Sequence, residues 1–337
     1  MLKTGIDIKE NEIVKLYPDV LDILLLDQTT KNNILWATDN YEHLGEKYHF
    51  TAQILPELIT GINCNIIMPR VKKNIFLQQS RSKDMAEVFT PSWVCNEQNN
   101  LIDNAWFGNA NVFNTGIKKI DTNSWIINKN KITFPENKTW KDYVSDRRLE
   151  IACGEAPYLT SRYDTTTGEF IPVEKRIGIL DRKFRVINEN VENIEEWFDA
   201  AETAFKSTYA FEYHGDSLLI AREAMLVTFI ENYYYKFIGE PLLKEIQTIA
   251  YIVSWNVWQM DGLKGVIPKT CGTKTIKSDN LFGESEIERI QCEGCLKENM
   301  FKHNGIYCWI KNWNNKDPET EQEGQKIRFV DLFKSKE

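Results

Sequence analysis

The chain has 337 residues, of which 42% are hydrophobic and 12% aromatic, so it can bury one large core or two modest ones. This composition excludes the collagenous, low-complexity and disordered classes of protein. The net charge of -8 at pH 7 argues against a stand-alone DNA binder, so any contact with DNA must be local or come from another molecule.

The N-terminus and the cysteines indicate a cytoplasmic protein. The first ten residues include Lys3, Asp7, Lys9 and Glu10, so they lack the apolar segment of a signal peptide. No run of about 18 apolar residues could span a membrane. The seven cysteines are an odd number spread through a large chain, which favours reduced thiols over a disulfide framework. We therefore expect a cytoplasmic location and no association with a membrane.

The first 80 residues mix short apolar runs, such as residues 20–26, with polar turns. This pattern favours a small mixed α/β region. Residues 70–83 then hold five basic residues and no acid: Arg70, Lys72, Lys73, Arg81 and Lys83. Such a run can follow a phosphate backbone, although a solvated helix face is the more frequent explanation.

From residue 149 onward, strand-like segments alternate with helical ones. The segments are, in order, residues 149–153, 207–213, 217–237 and 250–260. This alternation predicts a parallel sheet with crossover helices. Two later strand-like runs, residues 305–313 and 326–332, are separated by polar turn-forming residues and predict a hairpin.

The first predicted strand runs into a turn of small residues, Ala152-Cys153-Gly154. Glycine lets the backbone approach a ligand closely, and the start of a following helix offers free amide groups. The turn is therefore a candidate for cofactor binding. An ordinary turn after a buried strand would look similar, because only one glycine is present.

Two acids follow the next apolar segments. Glu212 closes the segment at residues 207–211, where a carboxylate can accept hydrogen bonds from both hydroxyls of a ribose. Asp261 follows the apolar run at residues 249–260, and it could accept a hydrogen bond from an adenine amino group. The alternatives are a surface acid at a strand end for Glu212 and a plain Asp-Gly turn for Asp261.

Four segments in order resemble the motifs of the gamma-class adenine-N6 DNA methyltransferases of restriction-modification systems, the restriction endonuclease subunit M family. They are residues 86–91, 150–159, 207–222 and 256–265. The resemblance covers roughly residues 70–332. It implies a cytoplasmic transferase that binds S-adenosylmethionine on a partial Rossmann-like sheet and takes part in DNA methylation.

The resemblance also implies roles for individual residues. Phe89, Thr90 and Pro91 match a Phe-Thr-Pro element that packs on the methionine end of the cofactor. The family's motif Asp-Pro-x-Cys-Gly-x-Gly matches at Glu150, Ala152, Cys153 and Gly154, with Ile151 in place of the proline and Ala156 in place of the last glycine. The cofactor loop is thus recognisable and altered.

The ribose-binding acid of the family corresponds to Glu212, in the context Thr208-Tyr209-Ala210-Phe211-Glu212. Its adenine-contacting aspartate corresponds to Asp261. The separation of 58 positions from Gly154 to Glu212 exceeds what one crossover helix needs, so we expect an insertion at residues 164–193.

The family's catalytic tetrapeptide, Asn/Asp-Pro-Pro-Tyr/Phe, is the one motif without a match. Methyl transfer to an exocyclic amine needs a hydrogen-bond acceptor and an aromatic face for the flipped base. The sequence contains no Pro-Pro pair, and Asp317-Pro318 is followed by Glu319 in an acidic linker. We therefore expect no catalytic residue in this chain, which would end about where the tetrapeptide strand begins. A second methyltransferase chain would supply the tetrapeptide and target recognition.

A cluster of soft ligands lies near the end of the sequence. Cys292, Cys295, His303 and Cys308 have a spacing that suits tetrahedral zinc in a structural site, with Cys271 able to replace one ligand. The alternative is a pair of exposed thiols beside a buried Cys308.

The predicted fold is thus α/β, a partial Rossmann-like methyltransferase sheet with an N-terminal α/β region and a C-terminal zinc-binding β-hairpin. The predicted domains are residues 1–140 with the Phe-Thr-Pro motif, 141–268 with the cofactor sheet, and 269–337 with the zinc knuckle and hairpin. The predicted function is the S-adenosylmethionine-binding part of a site-specific, adenine-specific DNA methyltransferase. Two alternatives stay open: a non-catalytic methyltransferase remnant that binds cofactor, DNA or a partner protein, and an RNA or protein methyltransferase.

Overall fold

The computed structural model describes residues 5–74, 78–79, 83, 90–118, 123–279 and 285–334, with the backbone alone at residues 276–279 and 285–288. In these residues the chain is a mixed α/β structure of helices and several small sheets. The α-helices are α1 (Glu10–Leu16), α2 (Val20–Leu25), α3 (Pro56–Ile59), α4 (Ser92–Phe107), α5 (Trp140–Val144), α6 (Ile179–Asn190), α7 (Ile194–Lys206), α8 (Gly215–Phe237), α9 (Leu243–Asn256) and α10 (Glu293–Leu296). The strands are β1 (Asn114–Lys118), β2 (Asn123–Ile127), β3 (Arg148–Ile151), β4 (Thr208–Glu212), β5 (Val257–Gln259), β6 (Lys274–Asp279), β7 (Ser285–Ile290), β8 (Trp309–Lys316) and β9 (Glu323–Arg328).

Strands β3, β4 and β5 form a parallel sheet in that order. The register places Glu150 beside Ala210 and Glu212 beside Gln259. Because parallel strands end at the same edge of a sheet, the turns that follow the three strands meet on one side of the molecule. The strands predicted at residues 149–153 and 207–213 are confirmed as β3 and β4.

Two helices connect each pair of neighbouring strands: α6 and α7 between β3 and β4, and α8 and α9 between β4 and β5. The insertion expected at residues 164–193 contains α6, which is a core element. Leu180, Phe184 and Ile187 of this helix are fully buried. The ring of Phe184 stacks on Trp197 of α7 at 5.5 Å between centroids. The long connection between β3 and β4 therefore packs in the core and is not a surface loop.

The apolar run at residues 249–260 differs from the predicted strand. Helix α9 continues to Asn256, and only Val257–Gln259 are extended. A run that is apolar at nearly every position fits a buried helix as well as a buried strand, so its pattern alone does not distinguish them. Asn256 donates from Nδ2 to the carbonyl oxygens of Phe205 at 2.8 Å and Thr208 at 3.2 Å, which fixes the end of α9 against β4.

Helix α8 is central and buried along most of its length. Its fully buried Arg222 donates from Nε to the carbonyl of Val257 at 2.7 Å and from Nη1 to the carbonyl of Leu26 at 3.0 Å. Arg222 thereby joins β5 to the end of α2. At the start of α8, a Cβ on Gly215 would lie 2.0 Å from the carbonyl oxygen of Leu35, so this crossing requires glycine. No described helix, α8 included, combines the length and apolarity needed to cross a membrane.

The N-terminal residues 5–74 form helices and short 3-10 helices instead of the predicted mixed α/β region. Extended pairing among these described residues is limited to the isolated bridges between Leu26 and Asn33 and between Leu35 and Gln53. The apolar run at residues 20–26 forms α2, which packs against α9 and α8. The pattern of this short run fits a helix as well as a strand. Its burial between two helices favours the helix.

Two antiparallel hairpins, β6–β7 and β8–β9, follow the parallel sheet. The hairpin predicted from residues 305–313 and 326–332 is confirmed, with its strands displaced to Trp309–Lys316 and Glu323–Arg328. Ile310 and Phe329 pack with Phe211 and Trp258 in a second apolar cluster. The β8–β9 hairpin therefore covers part of one face of the sheet.

Two buried carboxyl groups, Glu10 of α1 and Glu223 of α8, line one small cavity. Glu10 and Glu223 are 1% and 2% exposed, and each has an oxygen without a hydrogen-bond partner in the described residues. Burial raises the pKa of Glu10 to about 8 and that of Glu223 well above its ordinary value. Both groups are therefore protonated in the folded protein near neutral pH.

This burial predicts that stability falls as pH rises from about 4.5 to about 8. In this range folded Glu10 holds a proton that the unfolded chain has released, so unfolding becomes easier by a few kcal/mol. Urea unfolding of Glu10→Gln at pH 5 and pH 9 should show a smaller difference than the unsubstituted chain. Glu57→Gln, at an exposed position, is the control and should leave the difference unchanged. An equal pH dependence in Glu10→Gln would contradict the assignment.

Candidate cofactor and metal sites

The turn after β3 has an unusual backbone and an open side. Gly154 and Ala156 have φ values of 53° and 60°, and the amide of Ala156 donates to the carbonyl of Cys153 at 2.7 Å. A Cβ built on Gly154 would meet no heavy atom within 4 Å. The left-handed conformation suits glycine, and the space beside the turn lets another molecule approach the backbone. The described geometry therefore fits the role predicted for Gly154.

Glu212 lies at the end of the middle strand and holds this turn. Its Oε2 accepts a hydrogen bond from the amide of Gly154 at 2.8 Å, and its Oε1 accepts from the amides of Tyr213 at 2.8 Å and His214 at 3.0 Å. Burial acts to raise the pKa of Glu212, but the hydrogen bonds from His214 and Gly154 hold the pKa below its ordinary value. Glu212 is therefore an ionised, almost buried carboxylate.

Asp261 lies at the same edge, one strand further. The amide of Met260, the residue after β5, donates to the carbonyl of Glu212 at 3.0 Å, so Asp261 lies two residues beyond the end of β5. Its Oδ1 accepts from the amide of Leu263 at 3.2 Å, and its Oδ2 is 3.1 Å from Nζ of Lys264. The structure thus brings Gly154, Glu212 and Asp261 to the ends of three adjacent strands. The local bonds of Asp261 also match the simple Asp-Gly turn.

Glu150 and Cys153 are packing residues beneath the turn. Glu150 accepts from the amide of Tyr158 at 3.4 Å, and burial raises the pKa of its carboxyl well above the ordinary value. Burial likewise raises the pKa of the Cys153 thiol. Ala152 is exposed. These residues shape the turn, whereas the charge at the edge comes from Glu212 and Asp261.

The Phe-Thr-Pro element is described only in part, because Phe89 lies outside the described residues. Thr90 contacts the segment that follows the Gly154 turn: its carbonyl accepts from Oγ1 of Thr165 at 3.1 Å, and its side chain hydrogen-bonds to the hydroxyl of Tyr158. Pro91 precedes the first residue of α4. Thr90 and Pro91 therefore lie close to the predicted cofactor turn, although they are distant from it in sequence.

Two polar residues at this edge escaped the sequence analysis. Gln259 accepts from the amide of Leu35 at 2.8 Å and donates to the carbonyls of Leu35 and Tyr213 at 2.8 and 2.9 Å. Glu155 accepts from the amide of Arg70 at 2.7 Å and from the hydroxyl of Tyr163 at 2.6 Å. Both fix loops around the edge. Each residue has one feature in the sequence that could have indicated its role. Gln259 is an uncharged polar residue inside an apolar run, and Glu155 is an acid next to Gly154.

A second candidate site is a group of four side chains that could hold a metal ion, here called the Cys3His cluster: Cys271, Cys292, Cys295 and His303. The Sγ atom of Cys271 lies 3.3 Å from that of Cys292, 3.5 Å from that of Cys295 and 3.3 Å from Nδ1 of His303. The same Nδ1 is 3.6 Å from Cys292 and 3.7 Å from Cys295. Ligands around tetrahedral zinc are separated by about 3.5–3.8 Å, so the cluster has the right size.

The loops around the Cys3His cluster are held by backbone contacts. A Cβ on Gly294 would lie 2.6 Å from the backbone nitrogen of His303, so the knuckle between Cys292 and Cys295 requires glycine. Asn304 donates from its amide to Sγ of Cys292 at 3.3 Å. Burial acts to raise the pKa of Cys292, but amide hydrogen bonds, including the one from Asn304, lower it to about 6. Burial and hydrogen bonds to the thiols of Cys292 and Cys295 raise the pKa of Cys271 to about 12, so in this pair Cys292 ionises first.

The Cys3His cluster differs from the predicted ligand set in one member, because Cys271 takes the place of Cys308. Cys308 is fully buried and donates from Sγ to the carbonyl of Gln259 at 3.4 Å, within the apolar cluster around Trp258. Cys308 immediately precedes β8, and its side chain lies against β5 of the parallel sheet, outside the Cys3His cluster. Cys271 precedes β6 and reaches the knuckle through the bonds between Gly272 and Asn304.

Comparison of the chain with protein-family models, curated proteins and solved structures finds no match. The features of this chain that indicate a function are therefore its local geometry and the resemblance of its motifs. That geometry consists of an ionised carboxylate at the edge of a parallel sheet and a compact Cys3His cluster.

Proposed function

We propose that this chain binds S-adenosylmethionine at the carboxyl edge of β3, β4 and β5, as part of an adenine-N6 DNA methyltransferase with a partial Rossmann-like sheet. The observation that carries the proposal is the hydrogen bond from the amide of Gly154 to Oε2 of Glu212, which joins the turn after β3 to the end of β4. A nucleoside cofactor on such a sheet lies across this kind of junction.

The side chains at the edge suit the cofactor. Ionised Glu212 would accept hydrogen bonds from the ribose hydroxyls, and Asp261 would accept one from the adenine amino group. The open space beside Gly154 admits the ligand to the backbone. Thr90, Pro91 and the adjoining Phe89 would contact the methionine end. The cofactor supplies an electrophilic methyl group, and the residues of this chain bind and orient it.

A second chain would complete the enzyme. The sequence has no Pro-Pro pair, so the tetrapeptide that holds the acceptor amine would come from a partner. In the part of the chain that the structure describes, β3 pairs with β4 alone, and its outer residues Leu149 and Ile151 are 42% and 69% exposed. An exposed apolar edge strand favours pairing with another strand. The partner would also contribute DNA contacts that a chain of net charge -8 lacks.

The Cys3His cluster would hold a structural zinc ion. Three thiol ligands and one imidazole satisfy a tetrahedral ion and leave no open position for a substrate. The zinc would fix the base of the β6–β7 hairpin, because Cys271 precedes β6 and Cys292 follows β7.

A second candidate function is a non-catalytic module that retains the cofactor fold and regulates a partner. The observation that favours it is the same absence of a Pro-Pro pair. The two functions differ in one property, since the module would bind S-adenosylmethionine without supporting transfer in any mixture.

The test is a methylation assay with duplex DNA and labelled S-adenosylmethionine. The chain is assayed alone and with the product of its genomic neighbour. We expect labelled adenine only in the mixture, and Glu212→Ala should remove it. Cofactor binding without transfer in the mixture would favour the non-catalytic module, and absence of binding would contradict both functions.

A further inference from the structure

The loop that follows β5 connects the carboxyl edge of the parallel sheet to the Cys3His cluster. Asp261 lies at the start of this loop, and Cys271 lies at its end. The amide of Gly265 donates to the carbonyl of Asp261 at 2.8 Å, and the amide of Asp261 donates to the carbonyl of Val266 at 2.8 Å. These bonds close a turn that fixes the backbone carrying the Asp261 carboxylate. A change at the cluster end of the loop can therefore reach the sheet edge.

A second connection joins this loop to the other side of the cluster. The hydroxyl of Tyr307 accepts from the amide of His303 at 2.8 Å, and Tyr307 pairs with Val266 in an antiparallel bridge. Val266 also pairs with Asp261. The loop is thus attached to the cluster both through its own chain and through the segment that carries the histidine ligand.

An ion pair adds an electrostatic connection between the loop and the cluster. Nζ of Lys264 lies 3.1 Å from Oδ2 of Asp261. The same ammonium group interacts with the charges of Cys271 and Cys295. Because Coulomb attraction weakens with distance, these groups lie in one neighbourhood. The carboxylate at the sheet edge and the Cys3His cluster therefore belong to one connected structure.

The three thiols of the cluster differ in their access to solvent. Cys295 is exposed, Cys271 is partly exposed and Cys292 is buried. Sγ of Cys295 lies 3.5 Å from Sγ of Cys271, which is van der Waals contact. An accessible thiolate with a second sulfur beside it is the arrangement that peroxides oxidise to a disulfide. Cys295 is thus placed to react first, and Cys271 is placed to complete the disulfide.

We propose that the Cys3His cluster is an oxidation-sensitive switch, in which a disulfide between Cys295 and Cys271 expels the zinc ion and releases the loop that carries Asp261. The effect on the cofactor rests on the proposed function, whereas oxidation and loss of the metal do not. Disulfides that form in reducing compartments are usually transient and often sense redox state. A cellular dithiol would reverse the switch by thiol–disulfide exchange.

The oxidation consumes one molecule of hydrogen peroxide. Ligation to zinc holds both sulfurs as thiolates. The sulfur of Cys295 attacks a peroxide oxygen, the O–O bond breaks, and a sulfenic acid and a hydroxide ion form. The sulfur of Cys271 then attacks the sulfenic sulfur, the S–S bond forms, and a second hydroxide ion leaves. The two sulfurs lose two electrons, and the hydroxide ions take two protons from solvent to give two water molecules. Two ligands then remain, too few for a tetrahedral site.

Hydrogen peroxide treatment of the zinc-loaded chain tests the oxidation, with a chromophoric chelator to follow the released metal. We expect one zinc ion per disulfide, a Cys271–Cys295 cross-link in the mass spectrum, and renewed zinc binding after dithiothreitol. Cys295→His replaces the exposed sulfur with an imidazole, which is another zinc ligand, so this variant should keep its zinc in peroxide. Cys64→Ser, outside the cluster, is the control and should release zinc as the unsubstituted chain does.

Three results would overturn the proposal: a purified chain that takes up no zinc, zinc that stays bound in peroxide, or a disulfide that excludes Cys295. Equally rapid loss of zinc from Cys295→His would also count against it. Each of these results is obtained without S-adenosylmethionine, so none of them bears on the proposed function.

Calorimetry with S-adenosylmethionine tests the connection to the cofactor edge. We expect the oxidised, zinc-free chain to bind the cofactor about 10-fold more weakly than the zinc-loaded chain, within the usual range of coupling between two sites. Equal affinity of the two forms would overturn the switch and leave the proposed function intact. If neither form bound the cofactor, the proposed function would fail. Hydrogen exchange at residues 261–267 would then decide, since faster exchange after oxidation supports the switch and unchanged exchange refutes it.

Discussion

Glu212→Ala is expected to weaken S-adenosylmethionine binding by about 100-fold or more. In the proposed cofactor site, the substitution would remove two charge-assisted hydrogen bonds to the ribose, each worth about 1.5 kcal/mol or more. The substitution also releases the amide of Gly154 from Oε2, so the turn loses its fixed shape. Isothermal titration calorimetry of the purified chain at pH 7.5 measures the effect directly.

The same experiment has two comparison variants. Glu136→Ala, at an exposed position, should bind the cofactor normally. Glu212→Gln retains an oxygen for the amide of Gly154 but loses the negative charge, so we expect affinity between those of the unsubstituted chain and Glu212→Ala. Circular dichroism confirms that each variant is folded. If folded Glu212→Ala bound S-adenosylmethionine as tightly as the unsubstituted chain, the assignment of the ribose site would be wrong.

Cys271→Ser is expected to lower the zinc content from one ion per chain to a small fraction of it. Replacing one of four tightly held ligands removes a large share of a binding free energy that is typically about 10–16 kcal/mol for structural zinc. The loops around Cys292 and His303 meet through the cluster, so we also expect lower thermal stability and faster proteolysis near residues 270–305. Atomic absorption, thermal melting and limited proteolysis measure the three effects. Removal of the metal by a chelator should reproduce them.

Cys308→Ala is the decisive control for this cluster. Its thiol faces the carbonyl of Gln259, so the variant should keep its zinc even where it loses some stability from the apolar core. Cys64→Ser serves as a second control, because Cys64 belongs neither to the Cys3His cluster nor to the apolar cluster around Trp258. If Cys308→Ala lost its zinc and Cys271→Ser kept it, the fourth ligand would be Cys308, as the spacing in the sequence predicted, and not Cys271.

Elements with one clear pattern could be predicted from the sequence. The glycine turn after Ile151 marked the end of β3, and the acid at position 212 marked the end of β4. The helix expected at residues 217–237 is present as α8, because a long stretch without proline or internal glycine favours a helix. These features depend on residues that are near each other in the chain.

Elements with an ambiguous pattern could not be predicted. Residues 249–256 are helical and residues 20–25 form α2, although both runs are apolar enough for a strand. In each case the choice between helix and strand depends on burial between other helices. A short window of sequence carries no information about those neighbours. The role of residues 164–193 as a core connection was hidden for the same reason, since the partners of α6 lie on α7.

The sequence by itself determined that small-residue turns and acids follow strand-like segments, and that soft ligands cluster near residue 300. Only the tertiary structure decided that Gly154 bonds to Glu212 and that Cys271, and not Cys308, belongs to the Cys3His cluster. The physical reason is that spacing constrains residues within a few positions. Contacts across 58 residues, as between Gly154 and Glu212, depend on how the helices between them pack.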